Sequence, residues 1–149
     1  MNNLFYYVLA ILAGIMLSTQ AGINAQLRTV VGNPALAALI SFLVGTFVLF
    51  IYVLLFSDHQ PKVINPLRAM SVYKWSGGVI GAMYVTGIII VAPRIGATNT
   101  AALIVAGQIL FALFLDHFGL LGFVQHSINY MRLAGALLLI AGVFLILKN

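Results

Sequence analysis

The sequence predicts an all-α integral membrane protein with five transmembrane helices, and three observations carry that prediction. Of its 149 residues (16.0 kDa), 63% are apolar and only 6% are charged, where a soluble domain carries about 25% charge. A single core of this size cannot hide so much hydrocarbon from water, so lipid must be the solvent for most of the chain. The apolar residues also gather into five runs, each near the ~20 residues that an α-helix needs to cross a bilayer. Finally, the runs are uniformly apolar and lack the period-two alternation of a barrel strand; in lipid, backbone groups must then pair within each segment, as only a helix allows.

The runs fall at about residues 4–27, 34–56, 75–92, 98–115 and 129–147, which leaves a single membrane domain over 1–149 with no room for an extramembrane one. The first should remain in place as a helix: Met1-Asn2-Asn3 lacks the basic start of a signal peptide, and the apolar run behind it is too long for one. The second opens at Gly32-Asn33-Pro34, where Asn33 can cap and Pro34 can occupy the first helical position at no cost in hydrogen bonds. The third is expected to stop at Ala92, ahead of Pro93, because proline pushes its predecessor out of the helical region. Gly96-Ala97-Thr98 then supplies a turn and a new cap, so the third and fourth helices form a tight hairpin. The stretch 57–74 holds Asp58, His59, Pro61, Lys62, Pro66 and Arg68 and reads as an exposed loop. The stretch 116–128 is too short and polar to span and reads as a re-entry loop or interfacial turn, with Tyr73, Trp75 and Tyr130 as interface anchors.

Charge and composition exclude several functions. The formal net charge of +5 comes from cations scattered singly, which form no basic patch for nucleic acid and suit loops lying against anionic membrane lipids. With no cysteine, disulfides, thiolate nucleophiles and thiolate-bound metals are ruled out. No metal-ligand cluster and no serine–histidine pair at a compelling spacing is present, so neither an enzyme, nor a cofactor, nor a metal site is expected.

An odd number of crossings puts the two termini on opposite faces, and the Lys/Arg bias between alternate loops should set which is inside. One side holds Lys62, Arg68, Lys74 and Arg132; the other holds Arg28, Arg94 and Lys148. Four against three gives almost no preference. Two arrangements remain open: insertion in both orientations, whose mirror copies would pair like the inverted repeats of larger transporters, or one orientation with the 57–74 loop cytoplasmic.

Small residues suggest close helix packing. Ala10, Gly14, Ser18 and Gly22 form a ridge on the first helix, Ala37, Ser41 and Gly45 one on the second, and Gly77 and Gly81 one on the third. Gly135 and Gly142, with Ala134 and Ala141 beside them, mark the fifth as a dimerisation seam. Polar residues at membrane depth are costly and point to function or to interhelical contacts. Gln20, Asn24 and Arg28, four apart on one face of the first helix and almost opposite its small-residue ridge, are candidates to bind a solute. Gln108 in the fourth helix and Tyr84 in the third are candidates for the same site. Arg28 and Arg94, at helix ends, are candidates for its mouth, favouring anions, or for snorkelling to headgroups. Asp116 is one of two acids in the chain. It is a possible proton-coupling group, with His117 as a proton partner, or an ordinary helix-end carboxylate paired with a cation such as Arg132.

Several separated motifs, in order, resemble the YdcZ-type family, a bacterial inner-membrane branch of the drug/metabolite transporter superfamily. They are QAGINAQLR at 20–28, GNP at 32–34 followed by ISFLVG at 40–45, WSGG at 75–78 with GAMY at 81–84, and APRIGAT at 92–98 followed by AGQ at 106–108 and DHFG at 116–119. The closing GALLLIAGV at 135–143 is similar to the last helix of small multidrug resistance transporters and of the ten-helix members. The resemblance implies a bacterial inner-membrane location and a five-helix half of an inverted-repeat transporter, two halves pairing antiparallel as a homodimer or with a paralogue. Small multidrug resistance proteins couple to protons through a glutamate in the first helix, whereas residues 11–27 here contain no acid. The expected activity is therefore export of small polar or anionic solutes by alternating access, not proton-driven export of lipophilic cations. A dual-topology ion channel and a non-transporting accessory subunit are the alternatives.

Overall fold

The computed structural model describes residues 3–56 and 70–148. The expected loop at 57–74 lies mostly outside the described residues, including Asp58, His59, Lys62 and Arg68. Five helices are long and apolar enough to cross a membrane: α1 (Leu4–Val31), α2 (Pro34–Phe56), α3 (Ser76–Ile95) together with the 3-10 turn Val72–Trp75 that leads into it, α4 (Ala97–Phe118) and α5 (Tyr130–Lys148). A second 3-10 turn, Leu120–Gly122, follows α4.

Local chemistry explains where the boundaries differ from the sequence expectation. The first helix does not stop at 27. It runs to Val31 and ends when Gly32 takes φ +73°, a left-handed conformation natural to glycine, with its N–H donating to Arg28 O at 2.8 Å. Asn33 caps α2 as expected, its Oδ1 accepting from Ala35 N (2.8 Å) and Leu36 N (3.1 Å), with Pro34 first in the helix. Asn33→Ala should lower the unfolding free energy by about 1 kcal/mol, the usual worth of such a cap, read as a lower thermal midpoint in detergent by circular dichroism. The third helix starts one residue late, because Trp75 closes the 3-10 turn; Ser76 Oγ donates to Tyr73 O at 2.6 Å.

Two expectations about the hairpin are corrected. Pro93 does not end the third helix, which continues to Ile95. The break falls at Gly96, whose φ +85° and ψ 159° lie in a region that is essentially glycine's alone. Within the expected turn and cap, Gly96 is the N-cap of α4, and its carbonyl takes both the N–H (3.1 Å) and the Oγ1 (2.7 Å) of Thr100. The fourth helix runs past 115 to Phe118, so Asp116 stands in its last turn and not in a loop. There Gly119 (φ +60°) closes it in the left-handed conformation. Asn129 precedes α5 as its cap, with Oδ1 accepting from Arg132 N at 2.9 Å.

The chain divides into two compact units, Met1–Pro93 and Arg94–Asn149. In the first, α1 packs on α2, and Ile89 of α3 is sealed against Ala37 and Ala38, with Leu27, Val31 and Val85 around them. Alanines at the crossing let the helices approach closely, which is what drives association where lipid is as apolar as leucine. Gly81 serves the same end, since a Cβ there would already touch the Phe42 ring at 3.8 Å. In the second unit α4 packs on α5, which buries Ala136 and Val143. Most large apolar side chains stay exposed, for example Phe47 at 63% and Leu137 at 60%, as suits a surface solvated by lipid.

Candidate functional site

The small-residue ridge of α1 is not covered within the chain: Ala10, Gly14, Ser18 and Gly22 are all exposed, and nothing lies within 4 Å of where a Cβ on Gly14 or Gly22 would be. The inward face is the one bearing Leu17, Ala21, Asn24, Arg28 and Val31. Asn24 is the only buried residue of the helix, at 3% exposure. Gln20, one turn earlier, is exposed, and Arg28, one turn later, is half-buried. A carboxamide buried at this depth is costly unless it meets polar company.

Arg28 is held by α3. Its Nη1 donates to the carbonyl oxygen of Ile89 at 3.2 Å. That carbonyl is four residues before Pro93, which has no N–H to give it. The side chain of Arg28 thus supplies the donor that the helix lacks, which is why α3 survives its proline. None of the expectations for Arg28, in the polar row, at a mouth or snorkelling to headgroups, includes this contact, although a proline inside an apolar helix marks the residue four earlier as an acceptor in need of a partner. Tyr84, also on α3 and in the same unit, is half-buried.

The remaining candidates belong to the second unit. Arg94, in the last turn of α3, is exposed, and so is Gln108 in mid-α4. Asp116 is not free: its Oδ2 pairs with Arg132 Nη1 at 3.2 Å, the two side chains 30% and 33% exposed. The same Nη1 donates to His126 O (3.2 Å), and His126 N donates to Asp116 O (2.8 Å). Ile128 N donates to His117 Nδ1 (3.2 Å) and Gln125 Nε2 to His117 O (3.0 Å). His117 and Arg132 thus tie down the 119–129 linker, and Arg132 is the cation paired with Asp116, as the helix-end alternative expected. A pair this exposed is worth about 0.2–1 kcal/mol. Asp116→Asn should accordingly cost no more than that in a thermal melt and leave the pH dependence of flux unaltered; a flattened pH profile would assign it to coupling instead.

Five helices long and apolar enough to cross a membrane, one of them carrying the polar row Gln20, Asn24 and Arg28, define a polytopic α-helical membrane protein. The chain belongs to the YdcZ family: a family model described as "Putative inner membrane exporter, YdcZ" matches residues 5–145. It is also 27% identical over 149 residues to "Inner membrane protein YdcZ" of Escherichia coli (strain K12), covering 100% of this chain and 99% of that relative. No solved structure matches it. The family description and the five apolar helices make this a multi-pass inner-membrane protein.

Proposed function

We propose that the chain is a small secondary transporter that exports small polar or anionic solutes, working as an antiparallel dimer by alternating access. The observation that carries the reading is the burial of the Asn24 amide in a lipid-solvated helix, one turn from Arg28. A polar group at membrane depth is costly and points to a ligand or a polar path. Within the first unit Gln20 extends the row, Tyr84 is a further solute-binding candidate, and Arg28 attracts anions; in the second, Gln108 and Arg94 are the corresponding candidates. The exposed small-residue surfaces of α1 and of α5, where Ala134, Gly135 and Ala141 are uncovered, are where a second copy would approach. The even spread of cations supports copies of opposite orientation.

The test is flux in proteoliposomes with radiolabelled benzoate, glycerol and tetraphenylphosphonium as anionic, neutral and cationic probes. Slow, saturable movement of benzoate or glycerol, with none of the cation, is the expected result. Fast unsaturable ion leak would make it a channel, and silence across the panel would make it an accessory subunit.

A further inference from the structure

The contact between Arg28 and Ile89 has a chemistry that the transport reading does not use. Ile89 is fully buried, so no water can reach its carbonyl to replace the donor that Pro93 withholds. Arg28 provides that donor across 61 residues of sequence with one nitrogen, Nη1. A guanidinium carries five N–H donors, and no acid neutralises this one: among the described residues the ion pair is Arg132 with Asp116. Its charge and its other donors are therefore available in the fork geometry that matches a two-oxygen anion. The Ile89 carbonyl is a neutral acceptor, and an oxyanion is a better one.

We propose that Arg28 is an exchangeable latch, its guanidinium standing in for the helical donor that Pro93 removes until an oxyanion, either the carboxylate of a solute or the phosphodiester of a lipid, draws it off and frees the last turn of α3. The division of the chain into compact units falls at the same proline, so the latch holds the turn at which one unit ends. The competition by a solute carboxylate rests on the proposed transport function; the latch to Ile89 does not.

Hydrogen exchange of the Arg94 and Ile95 amides, measured on the full chain in dodecyl maltoside micelles, tests both parts without any flux assay. Arg28→Met should speed their exchange about tenfold, the loss expected for one hydrogen bond from a charged donor. In a Pro93→Ala background, where residue 93 can donate to Ile89 O, the same substitution should change exchange less than twofold. Equal effects in the two backgrounds overturn the latch. Should Arg28→Met fail to fold, rescue by Pro93→Ala supports it, and failure of both variants overturns it. On the unsubstituted chain, benzoate that speeds the same amides where sodium chloride does not assigns a solute carboxylate. An effect of added phosphatidylglycerol alone assigns a lipid, and no effect of either overturns the exchange.

Discussion

Two variants of this chain biased toward opposite orientations will each be inactive alone and will regain flux when made together. The natural sequence sets four cations on one side against three on the other, a margin too small to fix insertion. Asn2→Lys with Asn3→Lys makes the balance six against three. Lys62→Gln and Arg68→Gln with Asn149→Arg makes it two against four. Each set touches only loops and termini and should commit nearly all copies to one orientation, leaving no antiparallel partner. If the dimer is antiparallel, each alone should fall to the level of empty vesicles for whichever probe the unsubstituted chain carries, and co-expression should restore at least half of the flux. Undiminished flux from either variant alone would remove antiparallel pairing from the account.

The second large effect is at Asn24. Asn24→Leu replaces a buried amide with an apolar side chain of similar size that needs no hydrogen bond, so stability should hold or rise. Flux should nevertheless drop at least tenfold, because loss of one polar contact to the moving solute corresponds to about 1.4 kcal/mol or more. Gln20→Leu, at an exposed position, should do less. A chain that melts later and transports as before would show that the amide served only packing.

Much of the fold was legible because in lipid the rules are few. Apolar length fixes the number of crossings, and glycine, proline and asparagine punctuate them. Asn33 was read correctly as a cap because its side chain, proline and apolar run are neighbours in sequence. The errors came where the deciding partner was distant. Pro93 was taken as a stop since its remedy, Arg28, lies on another helix, and Gly96 broke the chain three residues later. Asp116 was placed in a loop because its polarity was weighed above the absence of any breaker before Gly119. The ridge on α1 is exposed within one chain, because a small-residue ridge says that something can approach closely but not whether the neighbour is in the same chain. Of the site, the row Gln20, Asn24, Arg28 was visible as a periodicity, whereas the burial of Asn24 alone among them depends on which helices meet there.

The proposed function rests on insertion in both orientations, so that each chain can pair with an oppositely oriented copy. The direct measurement is the location of the termini, by paired reporters active on only one side of the inner membrane and fused in turn to each end. Comparable activity of both reporters at the same end, a population divided between the two orientations, is the predicted result. A single reporter active at each end would mean one fixed orientation and would contradict it.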